Sequence, residues 1–518
     1  MDLKSLLLTL FAISALPGYA ADYYVTPEGA GARDGSSWDN AFGVEEFRTQ
    51  AAANANGDTY HLAAGVYKPS ETIIFKTATG ATLIGNADGE RTVFSGDKNG
   101  NNNPDEGDAN RLIRFQANTV NGNSANRIVI SDIDFTCVYT NTNTDSDSMG
   151  ALMIDNSGDV EVNNCRFYGN WSQGNQGGPA AHLYRSTVSF KGCTFNDNNA
   201  NYRGGAVRLR SNDANKGITT FYDCTFKYNT NYHNIGGAIL LAHGKELNII
   251  NSTLYGNKAA SDGAAIYANG KGTYACRVNI VNSTIAANVI TGTAGDGQVT
   301  STQTANIAIA NSVIASGDPD TTADFYFKGA AEDPNFSFLS GGYNYCGTIL
   351  DGAAEAAKTI AWADTDTHGG DCTYTAIFAD NTLDADNVVK PAYFHAGATG
   401  AQVTEATAAW ALPAGLDLTV DRLGNTRTSD MTPGAYAASK ADITTGIGDI
   451  HTDTDAASLT ALGSHRYVIS GTITPAAVYD ICGHNVLNAA PSATIDLSHM
   501  AAGVYIIKAG NTIFKVKK

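Results

Sequence analysis

Cys165-Arg-Phe-Tyr-Gly-Asn170 is the first of five six-residue segments that align without gaps and decide the fold. The others are Cys193-Thr-Phe-Asn-Asp-Asn198, Cys224-Thr-Phe-Lys-Tyr-Asn229, Ser252-Thr-Leu-Tyr-Gly-Asn257 and Ser283-Thr-Ile-Ala-Ala-Asn288. Their starts are separated by 28, 31, 28 and 31 residues, with a sixth partial copy at Ser312 and a degenerate one at 133–135. Self-similarity at such a period indicates a repeat architecture in which one repeat is one structural unit.

Apolar and polar residues alternate inside each repeat, which is typical of strands with one buried face. Val188 and Phe190 precede a short turn, and Cys193 and Phe195 follow it, with polar residues between them. A repeat of about 30 residues with three short strands and no helical period predicts one coil of a parallel β-helix. We therefore predict an all-β fold in which coils stack at about 4.8 Å.

Identical residues of successive coils should form columns along the axis of this solenoid. The column Phe167, Phe195, Phe226, Leu254 and Ile285 is predicted to form the core. The Asn column is expected to cap turns through side-chain hydrogen bonds and tolerance of left-handed φ.

The eight cysteines give no metal-ligand spacing. Cys165, Cys193 and Cys224 fall in one inward column, where buried free thiols behave as small hydrophobes, so we expect reduced thiols there. The remaining cysteines are scattered, which argues against a zinc site.

Charge excludes one class of partner. With 33 basic and 51 acidic residues the formal net charge is −18, which argues against nucleic acid because binding phosphates needs clustered basic surface. Lys4, the apolar run 6–16 and the small residues up to Ala20 predict a signal peptide over 1–20. No later run is long enough to span a bilayer, so the sequence predicts an exported protein, secreted or at the cell surface.

Both ends of the solenoid carry sequences that resemble known caps. The entry from Tyr23-Tyr24-Val25 to Gly65-Val66-Tyr67 resembles that of secreted right-handed β-helix proteins of the pectate-lyase-like superfamily. The segment from Asp421-Arg422-Leu423-Gly424-Asn425 to Tyr436 resembles the closing motif of such surface proteins. The repeats are similar to those of polymorphic outer-membrane adhesins. The resemblance implies a right-handed parallel β-helix over 21–438 with an N-terminal cap, and it is unspecific for activity.

The chain changes character after the solenoid. Residues 439–464 are polar and predict a linker, and 465–518 predict short strands that end in Lys515-Val516-Lys517-Lys518. This tail resembles the C-terminal sorting domain of type IX secretion cargo, a small β-sandwich. The resemblance implies the secretion machinery as a partner, and an ordinary β module that binds glycan or packs on the solenoid is the alternative.

Catalytic signals are weak. Lyases on this fold need an Arg or Lys base beside carboxylates that hold Ca²⁺, and hydrolases need paired acids. His243-Gly244 resembles the His-Gly of polygalacturonases, but the companion aspartates are absent.

A mixed outward column is the predicted ligand site. Strand alignment puts His182, Arg208, Leu240 and Tyr267 in one outward column, with Arg185 and Arg210 beside it. The aromatic and basic side chains suit a glycan, because a ring stacks on a sugar and Arg pairs with carboxylate or sulfate. A plain solvated strand face is the alternative.

An acidic loop is the candidate metal site. Oxygen ligands alternate along it as in calcium loops, at Asp97, Asn99, Asn101, Asn103 and Asp105, followed by Glu106 and Asp108. The sequence predicts a structural Ca²⁺ there, and an Asn/Gly/Asp-rich turn explains the pattern equally well.

Two function classes follow. The first is an exported, adhesin-like cell-surface protein that binds glycans or a host surface through strand faces and loops. The second is a polysaccharide lyase or glycoside hydrolase that acts on an anionic polysaccharide.

Overall fold

The structure is a computed structural model. It describes residues 20–54, 57–76, 80–117, 124–141, 150–211, 217–270, 274–292, 296–302, 304–318, 322–328, 336–351, 360–443, 458–463, 465–470, 476–480, 484–490, 494–509 and 512–518. The predicted signal segment, most of the predicted linker and Cys482 lie outside these ranges. The chain forms two compact units, Met1–Ile443 and Thr444–Lys518, which are treated separately below.

Stacked coils with parallel sheets build the described part of the first unit, which confirms the predicted parallel solenoid. Sheet 1 contains the strands Asp22–Val25, Thr59–Leu62, Ala81–Ile84, Ser124–Ser131, Ser157–Asn163, Val188–Lys191, Ile218–Tyr222, Glu246–Ile250, Cys276–Val281, Ala305–Ala310 and Phe338–Ser340. Sheet 2 contains Gly65–Tyr67, Thr92–Ser95, Ile133–Thr136, Arg166–Tyr168, Thr194–Asn196, Thr225–Lys227, Thr253–Tyr255, Thr284–Ala286, Val313–Ala315, Tyr345–Cys346 and Thr367–His368.

Two further sheets complete each coil. Sheet 3 contains Ile73–Phe75, Ile113–Gln116, Leu152–Asp155, Ala181–Tyr184, Val207–Arg210, Ile239–Ala242, Ile266–Asn269, Asp296–Thr302, Thr322–Lys328 and Ile349–Asp351. The short sheet 4 contains Tyr139–Thr140, Trp171–Ser172, Asn199–Ala200, Thr230–Asn231, Lys258–Ala259 and Val289–Ile290. In the central coils the chain passes from sheet 3 to sheets 1, 2 and 4 in turn.

The predicted core column is present. Phe167 pairs in register with Phe195, and Phe195 with Phe226, followed by Leu254 and Ile285. Successive rings from Phe167 stack with centroids 4.8 and 4.4 Å apart, and all five side chains are fully buried. Stacked rings at the strand spacing explain why the six-residue motif repeats without gaps.

The Asn column forms a buried hydrogen-bonded ladder, as predicted. Asn198 Nδ2 donates to the Phe167 carbonyl at 2.9 Å, and Asn229 Oδ1 accepts from both Asn198 Nδ2 and Asn198 N. The expectation of left-handed φ at the ladder is wrong by one position. Positive φ falls on the preceding residue, such as Asp197 and Tyr228, because the ladder side chains must point inward.

Short helices precede the central coils of the solenoid and follow its last coils. The 3₁₀ turn Trp38–Asn40 and the helix Val44–Ala53 lie at the N-terminal end, where Phe47 packs on Tyr60 and Phe75. The C-terminal helices are Tyr374–Phe378, Gly400–Thr407, the 3₁₀ turn Ala408–Trp410, and Lys440–Ile443.

Residues 360–443, here called the closing segment, wrap the outside of the last coils. Trp410, Val403 and Leu418 cover the outward residues Ile250 and Val281 of sheet 1. The closing segment is fastened by turn asparagines, because Asn251 and Asn282 donate to the carbonyls of Val420 and Leu418 at 3.1 Å.

The second unit is antiparallel. Its strands Ser458–Gly463, Arg466–Ser470 and Thr494–Asp496 form one sheet, and Asn485–Ala489, Ala476–Tyr479, Val504–Ala509 and Thr512–Lys517 form another. The strand Ser458–Gly463 and the helix Lys440–Ile443 fall inside the predicted linker. Leu459 packs against the core of this unit, which explains why the polar sequence around it does not prevent a strand. In the part of the chain that is described, no helix is long and apolar enough to cross a membrane.

Candidate functional site

The outer side of sheet 3 brings together the residues predicted to bind a ligand. His182 pairs in register with Arg208, Arg208 with Leu240, and Leu240 with Tyr267, so the predicted column exists. Tyr184 pairs with Arg210 in the neighbouring outward column. The inner residues Leu183 and Leu209 belong to the core.

The expectation that this column forms an open flat face is wrong. His182 is fully buried, and Arg208 and Leu240 are 4% and 3% exposed, whereas Arg185, Arg210 and Tyr267 are half-buried.

The glycine pairs explain part of this burial. A Cβ atom on Gly178 would lie 2.8 Å from the Cβ of Arg208, and one on Gly204 would lie 3.2 Å from the Cβ of Leu240. The loop before each strand therefore lies over the outward residue of the next coil. Arg208 Nη1 also donates to Gln176 Oε1 of that loop.

Burial sets the charge state of the centre of this face. Burial first, and then the positive charges of Arg208 and Arg210, lower the pKa of His182 well below its ordinary value. Its two ring nitrogens have no hydrogen-bond partner among the described residues. His182 is therefore neutral at physiological pH. Burial also lowers the pKa of the nearby Lys245 to about 7, and Lys245 Nζ donates to the Ser186 carbonyl at 2.6 Å.

An ion pair occupies the preceding coils of the same face. Arg114 Nη2 lies 2.7 Å from Asp155 Oδ2, and Asp155 is 3% exposed. Burial raises the pKa of Asp155, an effect that the nearby Arg114 opposes. Each charge is thus matched by its neighbour rather than presented to a ligand.

The rim of the face is basic and aromatic. The Arg185 guanidinium lies 4.8 Å from the centre of the Tyr184 ring, and that of Arg210 lies 5.9 Å from it. Such stacking fixes the arginines against the strand. In the described ranges no three His, Cys, Asp or Glu side chains are grouped so that they could hold a metal ion.

The loop expected to bind Ca²⁺ closes through its own hydrogen bonds. Asp97 is buried, and its Oδ1 accepts from the backbone N–H of Gly100 at 2.7 Å and of Asn101 at 3.2 Å. Its Oδ2 lies 3.1 Å from Lys68 Nζ. Burial acts to raise the pKa of Asp97, but hydrogen bonds from Lys68, Gly100 and Asn102 outweigh it and lower this pKa. Asp97 therefore already has partners for its negative charge.

Asp105, Asn101 and Asp108 in the same loop also accept hydrogen bonds from within it. Asn99 Nδ2 and Asn101 Nδ2 donate to the two oxygens of Asp105, and Asn101 Oδ1 accepts from Asn103 N at 2.7 Å. Asp108 accepts from Lys98 N and Asp105 N. This network is the alternative Asn-rich turn, and the Ca²⁺ site stays a prediction. Calcium titration of chelator-treated protein tests it through binding heat and a rise in melting temperature.

Sequence reasoning missed a second surface, here called the aromatic strip, which consists of Trp171, Tyr202, Tyr232 and His233. The rings of Trp171 and Tyr232 lie 5.4 Å apart, and those of Tyr202 and His233 lie 5.9 Å apart. Tyr202 and Tyr232 are 37% and 48% exposed. Rings from three consecutive coils therefore lie together on the outer surface beside sheet 4.

Amides surround the aromatic strip. Trp171 Nε1 donates to Gln173 Oε1 at 3.1 Å, and Asn201 Nδ2 donates to the Gln173 carbonyl at 3.0 Å. The sequence signal was the dipeptide Asn-Tyr, which occurs at 201–202 and again at 231–232, each time shortly before a glycine pair.

Comparison with known proteins supports the fold. Residues 105–285 match the family model for a right-handed β-helix region. The chain carries a right-handed parallel β-helix. No curated protein matches it.

Solved structures of similar shape belong to several functional classes. A glycoside hydrolase is 9% identical, with 69% of this chain and 98% of that chain covered and a TM-score of 0.41. PfbA, a surface adhesin of Streptococcus pneumoniae, is 13% identical, with 59% and 86% covered and a TM-score of 0.28. A rhamnogalacturonan lyase is 13% identical, with 67% and 86% covered and a TM-score of 0.30. At these values no activity can be transferred to this chain.

Proposed function

We propose that the protein is an exported, adhesin-like cell-surface β-helix protein that binds glycans through its outer surface. The aromatic strip is the observation that carries this proposal. The exposed rings of Tyr202 and Tyr232, together with the neighbouring ring of Trp171, can pack on the apolar side of a sugar. Gln173 and Asn201 supply amide groups for its hydroxyls.

The alternative class, a lyase or hydrolase of anionic polysaccharide, has less support. A general base must reach its substrate, and His182 and Arg208 are buried. The Asp155 carboxylate is engaged by Arg114, so it is poorly placed to act on a sugar.

Export and surface attachment belong to the same proposal. The apolar segment 6–16 and the resemblance of the tail to type IX sorting domains support it. The second unit has its own core, which includes Val478, Ile495 and Ile507, so its removal should leave the β-helix folded. A chain truncated after Ile443 should accumulate as folded protein in the periplasm, which cell fractionation detects. Normal surface display of the truncated chain would contradict the sorting role.

Retention on immobilised glycans tests the binding role. The double variant Tyr202→Ser with Tyr232→Ser should lose at least about tenfold in affinity for a glycan that the intact chain retains. Tyr393→Ser is the matched control, because Tyr393 is 52% exposed but lies on the closing segment. Equal retention of the double variant and the control would contradict the role of the aromatic strip.

A further inference from the structure

A cleft at the N-terminal end of the β-helix lies apart from both surfaces described above. It has a volume of about 350 Å³ and is lined by Trp38, His61, Ile84 and Asn86, together with residues 62–64 and Gly85. This volume is at the lower end of the range for small-molecule sites, about 300–1,000 Å³.

A row of packed aromatic rings supports one side of the cleft. Trp38 packs edgewise on Tyr24 with centroids 4.9 Å apart, and Tyr24 stacks on His61 at 5.2 Å. His61 Nε2 lies 3.1 Å from Asp22 Oδ1, which fixes the imidazole. Trp38 nevertheless remains 48% exposed, so its position is set from one side while much of its surface stays accessible.

Ile84 also lines the cleft. It pairs in register with His61 on the neighbouring strand and is 37% exposed. Asn86 donates its amide hydrogens to the carbonyls of Asp88 and Glu90 at 2.6 Å, so the amide oxygen is the group that its side chain can offer. The cleft thus has apolar walls and a polar edge.

The chain covers comparable residues elsewhere. Ile250 and Val281 occupy the same outward column of sheet 1 several coils later, and Trp410 and Leu418 bury them. In the described residues, the cleft beside Ile84 has no such cover. The same column thus carries apolar residues that the chain buries at the C-terminal end and leaves exposed at the N-terminal end. Exposed apolar surface of this kind favours a ligand at the N-terminal end.

The charge around the cleft selects the ligand class. Asp22, Asp88 and Glu90 are exposed near it, so an anionic ligand would be repelled. A pyranose has an apolar C–H face for Trp38 and hydroxyls for Asp22, His61 and Asn86. We infer that this cleft binds one or two rings of a neutral glycan, a role that rests on the proposed function and gives it a second site.

Fluorine NMR of the full chain labelled with 5-fluorotryptophan tests the inference. The four tryptophans are Trp38, Trp171, Trp362 and Trp410. The cleft, the aromatic strip and the closing segment therefore each carry a reporter. The probes are the hexasaccharides of β-1,4-glucose, β-1,4-xylose and β-1,4-mannose, with α-1,4-galacturonate as the anionic comparison. Single Trp→Phe variants assign the signals.

We expect at least one neutral hexasaccharide to shift the Trp38 signal saturably, with galacturonate much weaker and Trp410 unchanged. Trp38→Ala should weaken this binding at least about tenfold, and Tyr393→Ser, an exposed control on the closing segment, should leave it within about twofold. A shift at Trp171 alone would overturn the cleft and leave the proposed function standing. An equal shift of Trp38 by galacturonate would overturn the neutral ligand class, and no shift with any glycan would overturn both proposals.

Discussion

The outward column of sheet 1 is apolar at both ends of the β-helix and polar between them. At the N-terminal end it contains Tyr24, His61 and Ile84, and at the C-terminal end it contains Ile250 and Val281. The closing segment buries the C-terminal end beneath Trp410, whereas Trp38 at the N-terminal end is half exposed.

The difference shows what an outward apolar residue means in this fold. Between the two ends the column passes through Ser131, Asn163 and Lys191, which suit contact with water. At the C-terminal end the apolar part of the column is covered by the chain itself, and at the N-terminal end we infer that a ligand covers it. The comparison therefore assigns a structural role to Trp410 and a binding role to Trp38.

The largest expected effect follows from removing the cover. Trp410→Ala should lower the free energy of unfolding by about 3–5 kcal/mol, because Trp410 is 4% exposed and packs in an apolar cluster. Trp38→Ala, at the open end, should lower it by less than about 1 kcal/mol. Denaturant unfolding of both variants measures the contrast, and equal losses would remove the distinction between the two ends.

A pH-dependent effect of intermediate size should appear on the covered side. Burial raises the pKa of Asp223 to about 6 from its ordinary value of 3.8, although the charge of Arg422 in the closing segment opposes this. The folded chain then binds more protons than the unfolded chain between about pH 4 and pH 6, so this group destabilises the fold as pH rises through that window.

Asp223→Asn should therefore gain stability relative to the parent, by about 1–2 kcal/mol, as pH rises from 4 to 6.5. Asn also suits the positive φ of 55° at this turn. Asp132→Asn is the matched control at the equivalent turn of an earlier coil, where Asp132 lies 3.8 Å from Arg91 Nη1 and the closing segment does not cover it. Unfolding curves across this pH range would contradict the account if both variants behaved alike.

The smallest effect on stability is expected at Ile84, which also lines the cleft. Ile84→Ser should change stability by no more than about 0.5 kcal/mol, because Ile84 is already 37% exposed. It should weaken binding of a neutral glycan several-fold, measured by calorimetry. A large loss of stability would show that Ile84 belongs to the core rather than to a site.

The inner columns could be predicted from the sequence because each residue repeats against its own kind. Phe195 meets Phe167 and Phe226, and Asn198 meets Asn229, so periodicity alone defines register and burial. The strand register of the column His182, Arg208 and Leu240 was predicted by aligning the strands that follow the glycine pairs.

The exposure of that column could not be predicted, because it depends on loops that do not repeat. Gly178 lies over Arg208, a contact that strand alternation does not encode. The cleft at Trp38 joins an entry turn to two strands of sheet 1. Such contacts link positions far apart in the chain and leave no periodic signal.

The most direct test of the central claim measures retention and cleavage together. The purified full chain is incubated with immobilised neutral and anionic polysaccharides with Ca²⁺ present, and the bound protein, new reducing ends and unsaturated products are measured. The account predicts retention on at least one neutral polysaccharide with no products above background. Steady release of reducing ends or unsaturated oligosaccharides, lost in a variant of the outer face of sheet 3 such as Arg208→Gln, would contradict it.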